Sequence, residues 1–121
     1  MAITVLCYAK CTTCQKALRW LDEQGVAYAV RPVKEENPSA EELTQWQARS
    51  GLPLKRFFNT SGTLYRSLGL KDRLDGMSGE EQLALLASDG MLVKRPLLVT
   101  EGAACPGFRE EAWKKAIGEE R

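Results

Sequence analysis

The sequence predicts an α/β protein with one mixed four-stranded sheet, in the order β-α-β, a helical insert, then β-β-α. Three observations lead to this prediction. An apolar run at residues 3–7 is followed by a helical pattern and by a second strand pattern. Residues 39–91 show helical patterns and no strand, and strand character returns only at residues 95–105. Since nothing in the 121 residues suggests a second domain, we expect a single domain, 1–121, with an insert at about 39–91.

The first part of the chain has the pattern of a βαβ unit. Residues 3–7 are typical of a strand covered on both faces, residues 12–24 of a helix that ends before Gly25, and residues 27–33 of a second strand. The crossover in such a unit is right-handed, so the two strands should be parallel. The helix has an apolar stripe formed by Cys14, Ala17, Leu18 and Leu21. This stripe should place Cys14 on the buried side of the helix.

The helical insert is marked by two capping boxes, Ser39-x-x-Glu42 and Ser78-x-x-Glu81, each of which begins a helix. Glycines stop these helices. The stops are at positions 51 and 90, and shorter helical pieces are expected at 55–58 and 63–68, around a polar turn at 59–62.

The C-terminal part predicts a hairpin and a helix. Residues 95–100 have strand character, and the Glu101-Gly102 turn allows a hairpin into residues 103–105. A last helix is expected at 109–117, with Trp113, Ala116 and Ile117 on one side.

Composition excludes several classes of function. Seventeen basic and sixteen acidic residues leave a net charge of +1, so direct nucleic-acid binding by the whole domain is not expected. No stretch approaches the roughly 20 apolar residues of a membrane span, and the N-terminus lacks the design of a signal peptide. We therefore expect a cytoplasmic protein without membrane contact, and a monomer by default.

The absence of histidine removes Ser-His-Asp and Cys-His catalysis and every zinc pattern that uses imidazole. The four cysteines lack the paired knuckles of structural zinc folds, and a reducing cytosol disfavours structural disulfides. We expect no bound metal or cofactor. Cys7 lies inside the first strand and is interpreted as a core residue. A third redox thiol at Cys105, after the hairpin, is a further hypothesis.

Cys11 and Cys14 lie where the first strand gives way to the first helix. A sulfur in the first helical turn is stabilised as thiolate by unpaired N–H groups and the helix dipole, and neighbouring Lys10 acts in the same direction. Residues three apart on a helix have Cβ atoms about 5 to 6 Å apart, so a disulfide between them should form with modest distortion and be easily reduced. We interpret Cys11 as the attacking thiol and Cys14 as the resolving thiol. The alternative is a pair of inert core cysteines.

Several motifs occur in an order that resembles the ArsC/Spx family of thioredoxin-like proteins, which contains arsenate reductases and the Spx/MgsR regulators. The resemblance covers nearly the whole chain. The motifs are Cys-Thr-Thr-Cys-Gln-Lys-Ala-Leu-Arg-Trp-Leu at 11–21, Phe-Asn-Thr-Ser-Gly at 58–62, Leu-Gly-Leu at 68–70, Lys-Arg-Pro at 94–96 and Gly-Phe at 107–108.

The resemblance implies a cis peptide bond between Arg95 and Pro96, both beside the redox sulfur, with Arg95 contacting a bound oxyanion. Asn59 and Gly107 align with two further arginines of the oxyanion site in glutaredoxin-coupled arsenate reductases. The alternative for Arg95 is a strand-end arginine with a packed stem and a hydrated head. The predicted supporting residues are Lys10, Thr12, Thr13, Asn59, Pro96 and Gly107.

The leading functional hypothesis is a thiol–disulfide oxidoreductase that resembles arsenate reductase, with an external thioredoxin or glutathione/glutaredoxin as its reductant. The alternative is a redox-sensing regulator that binds the C-terminal domain of the RNA polymerase α subunit. The regulators make that contact through a surface glycine, and Pro53, close to Gly51, aligns with it. A third hypothesis is a thioredoxin-fold interaction module whose cysteines no longer react.

Overall fold

The structure is a computed structural model that describes residues 3–120. Residues 1, 2 and 121 of the predicted domain lie outside the described residues. The chain divides into two compact units. We call them the sheet unit, which comprises the residues up to Pro32 together with those from Arg95 onward, and the helical unit, Val33–Lys94. The single-domain organisation stays a prediction.

Four strands and six α-helices follow one another along the described chain, with three short 3-10 segments among them. They are β1 (Thr4–Cys7), α1 (Thr12–Glu23), β2 (Ala29–Pro32), α2 (Ala40–Ser50), the 3-10 segment Leu54–Phe57, α3 (Thr63–Ser67), α4 (Leu70–Arg73), the 3-10 segment Leu74–Gly76, α5 (Gly79–Ser88), the 3-10 segment Gly90–Leu92, β3 (Leu97–Val99), β4 (Ala104–Pro106) and α6 (Glu110–Glu120).

The sheet unit contains one mixed sheet with the strand order β2-β1-β3-β4. β1 and β2 are parallel, as the βαβ pattern predicts, and β3 is antiparallel to both β1 and β4. The register pairs Leu6 with Arg31 on one side and with Leu97 on the other. The predicted mixed four-stranded sheet, the parallel pair and the C-terminal hairpin are therefore confirmed.

One face of the sheet carries the core of this unit, because α1 and α6 pack their apolar sides against it. Trp20 makes edge contacts with Phe108 and Trp113, at 5.7 and 6.3 Å between ring centroids. These contacts bury Trp20, although the predicted apolar stripe of α1 does not include it. Within that stripe, Leu18 is half-buried and the other residues are buried. The buried members of the core are Val5, Cys7, Cys14, Ala17, Trp20, Leu21, Leu98, Trp113, Ala116 and Ile117.

The helical unit begins its two long helices with the predicted capping boxes. Ser39 Oγ accepts from the Glu42 N–H at 3.1 Å, and Glu42 Oε1 accepts from the Ser39 N–H at 3.0 Å. The box at the start of α5 has the same two bonds. Since a box satisfies two orphan donors of the first turn, both helix starts are closed by oxygen atoms.

Two features of the helical unit differ from the sequence prediction. Phe58 and Val93 form an isolated antiparallel bridge, where no strand pairing was expected. Gly69, with φ 66°, reverses the chain and begins the short helix α4, which the prediction also omits. A left-handed residue at this position is readily adopted only by glycine, so the apolar run at 68–70 is broken into two helices. Across residues 3–120, no helix is long and apolar enough to cross a membrane.

Candidate functional site

Cys11 occupies the N-cap position of α1, four residues after the end of β1. Its N–H donates to the Tyr8 carbonyl at 2.9 Å, and its own carbonyl accepts from the Gln15 N–H at 3.1 Å. The Gln15 side chain donates in addition to the Ala9 carbonyl at 2.9 Å. These bonds fix the turn between strand and helix, so the half-exposed Cys11 sulfur is held at the helix start.

The first turn of α1 is not closed by a capping side chain: at this helix start, within the described residues, Cys11 makes no capping hydrogen bond. An N-cap oxygen normally accepts from the N–H of the second or third helical residue, here Thr13 or Cys14. Those donors are therefore available to a sulfur anion at position 11 or to an anion bound beside it. Lys10, Thr12 and Thr13, the predicted supporting residues of this segment, are all exposed around it.

Cys7, Cys11 and Cys14 form what we call the three-thiol cluster. Cys14 is 1% exposed and Cys7 is 5% exposed, and both belong to the same core. The Cys14 thiol is hydrogen-bonded to both other thiols, and the backbone N–H of Tyr8 also donates to its sulfur. Cys14 is thus the central sulfur of the cluster, with a buried neighbour on one side and a half-exposed neighbour on the other.

Hydrogen bonding inside the cluster separates the pKa values of its two buried thiols. The Cys14 S–H donates to the sulfur of Cys7, which lowers the pKa of Cys7 against the opposing effects of burial and of charge on Cys11. The same bond, together with burial, raises the pKa of Cys14, and the Tyr8 N–H opposes that rise only in part. In the reduced protein Cys14 is therefore the harder of the two thiols to ionise.

Arg95 and Pro96 are joined by a cis peptide bond, as the resemblance implies. The Arg95 guanidinium lies over the Tyr8 ring, with Cζ 5.1 Å from the ring centroid. Because the Tyr8 carbonyl holds the Cys11 amide, this stacking brings the guanidinium to the segment that positions the Cys11 sulfur. Pro96 is buried. It precedes Leu97, which pairs with Leu6, so Pro96 lies opposite Cys7 at the end of β1.

Gly107 directly follows β4 and lies opposite Pro96, on the side of β3 away from β1. Its N–H donates to the Pro96 carbonyl at 2.9 Å, and its carbonyl accepts from the Trp113 indole N–H at 2.9 Å. Its φ is 82°, a value that favours glycine. The backbone of Gly107 therefore connects the cis-proline segment to α6, and it contributes no side chain to an anion site.

Asn59, another predicted supporting residue, belongs to the helical unit and is 8% exposed. Its N–H donates to the Leu92 carbonyl at 2.7 Å, and its own carbonyl accepts from the Gly62 N–H at 3.0 Å. Ser61 donates to its side-chain oxygen at 3.4 Å. These contacts give Asn59 a structural role in the turn before α3, while its predicted contribution to an oxyanion site stays a prediction.

Cys105 does not reach the three-thiol cluster. It pairs with Leu98, which pairs with Val5, so it lies two strands away from β1 and two residues short of the level of Cys7. With about 4.8 Å between strands and about 3.3 Å per residue, its Cα is about 12 Å from that of Cys7, too far for a disulfide. Burial, and secondarily the Glu119 carboxylate, raise the pKa of Cys105.

The arrangement supports nucleophilic thiol chemistry with an internal second thiol. One sulfur is partly exposed at a helix start, a second interacts with it from within the core, and a guanidinium is stacked on the ring of Tyr8, in the segment before that helix. Among residues 3–120, no group of three or more cysteine and carboxylate side chains is arranged to hold a metal ion. The sequence interpretation assigned Cys7 only to the core. Cys7 is two residues after Val5 in the strand, so both side chains point to the same face of the sheet, the face covered by the helix that carries Cys14. That spacing is the signal that would have placed Cys7 in the cluster.

The fold and this pair of thiols define the class: an α/β protein with a Cys-x-x-Cys motif at the N-terminus of its first helix. The model of the ArsC family matches residues 6–116. The chain therefore belongs to the ArsC family.

Similarity to individual proteins extends over the whole chain. The uncharacterized protein YusI of Bacillus subtilis is 49% identical over 115 residues, which cover 95% of this chain and 98% of that protein. An ArsC-family-related protein of Bacteroides fragilis has a crystal structure with a TM-score of 0.93 and 50% identity, covering 95% of this chain and 97% of the other. These neighbours share the thioredoxin-like fold of the family, which confirms the predicted fold class.

More distant relatives carry two different functional names. The structure of an arsenate reductase from Vibrio cholerae has a TM-score of 0.79 and 26% identity, covering 98% of this chain and 97% of that chain. The global transcriptional regulator Spx of Staphylococcus haemolyticus is 23% identical and covers 95% of this chain and 86% of its own length. The chain is thus similar both to reductases and to regulators of one family.

Proposed function

We propose that this protein is a thiol–disulfide oxidoreductase in which Cys11 is the nucleophile and Cys14 the resolving thiol. The observation that carries the proposal is the geometry of the pair: Cys11 is at the N-cap of α1, and its thiol is hydrogen-bonded to Cys14 from within the core. A thiol at the helix start, with a second thiol that interacts with it from the core, is the arrangement that a two-step exchange requires.

The reaction proceeds in two displacements. The Cys11 thiolate attacks one sulfur of a substrate disulfide, and the other substrate sulfur leaves as a thiolate. Cys14 then gives up its proton to water, or to the Cys7 sulfur when that sulfur is ionised, and attacks the Cys11 sulfur. The Cys11–Cys14 disulfide forms and the second substrate sulfur leaves. Two electrons pass from the protein dithiol to the substrate, which is released as two thiols.

Without histidine in the chain, the thiolate must be stabilised by amides and cations. The uncapped first turn of α1 supplies amides at the place where an N-cap anion normally accepts. Arg95 supplies the cation of the sheet unit that is oriented by stacking on Tyr8. A guanidinium can also hold an anionic group of the substrate, such as a carboxylate of a glutathione adduct or an oxyanion.

Recycling of the oxidised protein requires an external thiol reductant. We propose thioredoxin or the glutathione/glutaredoxin system as this reductant, which opens the Cys11–Cys14 disulfide by the reverse exchange. Membership of a family that contains reductases supports the proposal. With arsenate as oxidant, the same dithiol would supply the two electrons that reduce arsenate to arsenite.

The experiment uses oxidised glutathione as substrate and mass spectrometry of the acid-quenched protein. In the wild type the segment 11–16 should no longer carry two free thiols, because exchange at Cys11 ends in a disulfide that includes Cys14. Cys14→Ser should stop at a glutathione adduct on Cys11, since no second thiol resolves it. Cys11→Ser should give neither product. An unmodified wild-type segment, or equal reaction in Cys11→Ser, would overturn the proposal.

A second assay identifies the acceptor and the reductant. NADPH consumption is followed with thioredoxin and its reductase, or with glutathione and glutaredoxin, in the presence of arsenate or of a glutathione mixed disulfide. Cys11→Ser is the matched control in each combination. Turnover with a mixed disulfide and not with arsenate would define a disulfide reductase, and turnover with arsenate would define an arsenate reductase.

The second candidate is a redox-sensing regulator, favoured by the similarity to Spx and to MgsR of Bacillus subtilis, which is 28% identical over 106 residues. Here the Cys11–Cys14 disulfide would act as a switch and not as a step in turnover. Pro53 and Gly51, the residues aligned with the polymerase contact of such regulators, are both exposed in the helical unit. Binding to the C-terminal domain of the RNA polymerase α subunit, compared with and without oxidant, tests this candidate.

A further inference from the structure

We propose that Cys14 has two alternative disulfide partners, and that an oxidised Cys11–Cys14 pair rearranges to a buried Cys7–Cys14 disulfide that sets Cys11 free. This inference rests on the proposed function, because exchange at Cys11 delivers the oxidising equivalents. Cys7 then becomes a redox thiol of the site, a role beyond its position in the core of the sheet unit.

The central position of Cys14 carries the inference. Its thiol interacts with both other thiols, and Cys7 and Cys14 are buried in one core against which Cys11 packs. A disulfide requires the two sulfurs about 2 Å apart and Cβ atoms about 4 Å apart, so each pairing needs the side chains to approach further by rotation. Both segments that carry these thiols are regular, since Cys7 ends β1 and Cys14 lies in the first turn of α1.

No other thiol of the chain competes for this partnership. Cys105 is separated from β1 by two strands and cannot reach Cys7 without breaking the sheet. Thiol–disulfide exchange proceeds through thiolates, so Cys7 must lose its proton as it attacks the Cys14 sulfur. Cys7 and Cys14 are buried members of the same core, whereas Cys105 is half-buried and only packs against that core.

The rearrangement is an internal exchange with no net redox change. The Cys7 sulfur attacks the Cys14 sulfur, the Cys11–Cys14 bond breaks, and the Cys7–Cys14 bond forms. The electron pair leaves on Cys11, which takes up the proton lost by Cys7. The protein remains oxidised by two electrons, and its half-exposed thiol is reduced again.

The consequence is a protected oxidised state. The sulfurs of a Cys7–Cys14 disulfide are covered by the core residues around them, so an external dithiol meets them less readily than a disulfide that includes Cys11. In that state Cys11 can accept a second adduct, such as glutathione, which no remaining thiol of the cluster can resolve. The same protein would then hold an adduct stably when oxidised and release it by resolution when reduced.

Trypsin provides a direct test, because Lys10 separates Cys7 from the other two thiols. Cleavage after Lys10 and Lys16 yields residues 1–10 with Cys7 and residues 11–16 with Cys11 and Cys14. The wild type is oxidised with glutathione disulfide, quenched in acid, alkylated with N-ethylmaleimide and digested. We expect a cross-link between the two peptides through a disulfide on Cys14, with maleimide or glutathione on Cys11, as fragment ions will show.

Matched variants separate this inference from the proposed function. Cys14→Ser should lose the cross-link, and Cys7→Ser should retain only the disulfide within residues 11–16. Cys105→Ser, which changes a thiol outside the cluster, should leave the cross-link unchanged. Because Cys7 is buried, Cys7→Ala serves as a second variant, and circular dichroism confirms that both remain folded.

The possible results are distinct. A disulfide within residues 11–16 and no cross-link in the wild type would overturn the inference and leave the proposed function intact. Absence of both products would overturn the proposed function. A cross-link that attaches Cys7 to Cys11, or that persists in Cys14→Ser, would also contradict the inference, because Cys14 would then not be the shared partner.

Discussion

The helix starts of the two units differ in the residues at two positions, the N-cap and the third helical residue. In the helical unit, Ser39 at the N-cap and Glu42 at the third helical residue exchange side-chain and backbone hydrogen bonds, and α5 repeats this arrangement. In the sheet unit, Cys11 and Cys14 occupy the equivalent positions of α1. In all three helices two residues separate the N-cap from the third helical residue. This spacing closes the helix start with oxygen atoms in the helical unit and places two thiols at the helix start in the sheet unit.

The difference shows what a helix N-terminus can be used for. At α5 the Ser78 backbone N–H donates to Glu81, which lowers the pKa of that carboxyl and favours its charged form. At α1 the residue in the corresponding place is Cys14, whose pKa is raised because it donates to Cys7 and is buried. Closed first turns stabilise the helical unit, whereas the open first turn of the sheet unit leaves its amides for an incoming or forming anion.

The largest expected effect comes from giving α1 the type of cap that the helical unit has. Cys11→Asp removes the nucleophile, so disulfide exchange with oxidised glutathione should fall by at least about a thousandfold. The new carboxylate should accept from the first turn and raise the free energy of unfolding by about 0.5 to 1 kcal/mol. Exchange is measured by mass spectrometry and stability by urea unfolding.

Cys11→Ala is the control for this substitution, because it removes the thiol without adding a cap. It should lose exchange to the same extent and leave stability within about 0.5 kcal/mol of the wild type. A loss of stability in Cys11→Asp relative to Cys11→Ala would show that the first turn of α1 is already satisfied, and the comparison between the units would fail.

A large effect on stability alone is expected at Gly90 in the helical unit. A Cβ atom there would overlap the carbonyl oxygen of Val33, which is backbone and cannot move aside like a side chain. Gly90→Ala should therefore cost about 3 kcal/mol or more in urea unfolding. Gly79→Ala is the matched control, since nothing lies within 4 Å of its Cβ position, and it should be neutral or slightly stabilising. Equal stability of the two variants would show that Gly90 is not tightly enclosed.

Removal of an oxygen cap should have a smaller effect. Ser39→Ala leaves the Glu42 N–H without its acceptor and should lower the free energy of unfolding by about 1 kcal/mol. Ser67→Ala is the control, because Ser67 is exposed and bonds only the Leu64 carbonyl of its own helix among the contacts described. Thermal unfolding of both variants measures the difference. If Ser67→Ala cost as much as Ser39→Ala, the box would have no special contribution.

Much of the fold could be predicted because its signals are local in the sequence. The capping boxes, the glycine stops and the alternation of strands and helix in the βαβ unit each lie within a few residues of the element they define. The Phe58–Val93 bridge could not be predicted, because its partners are far apart in the chain and short 3-10 segments flank both. Local patterns carry no information on such pairing.

The candidate site was predictable to the same extent. Cys11 and Cys14 follow from their place at a strand-to-helix junction and from the apolar stripe of α1. The contact between Cys7 and Cys14 depends on how far α1 is rotated above β1, and the stacking of Arg95 on Tyr8 depends on the register of β3. These are tertiary quantities, and the pattern of one chain does not specify them.

The smallest expected effect concerns Cys105, the thiol outside the cluster. Burial raises its pKa, so the folded protein favours the neutral thiol. Its contribution to stability is complete below the ordinary thiol pKa and is lost as the pH rises through the higher pKa of the folded state, because only the unfolded chain then ionises freely. Urea unfolding at several values between about pH 8 and pH 10.5 should show a steeper decline for the wild type than for Cys105→Ala.

The difference in the free energy of unfolding between the wild type and Cys105→Ala isolates the contribution of this thiol, because the lysines and tyrosines that titrate in the same range are present in both. Cys14, with a raised pKa, adds to the decline, and Cys7, with a lowered pKa, opposes it, but both are present in wild type and variant. A stability difference that stays constant across this pH range would mean that the Cys105 sulfur is as well hydrated in the fold as in the unfolded chain. Cys105 would then be a candidate for surface oxidation, and the contrast between the reactive cluster and the inert fourth thiol would disappear.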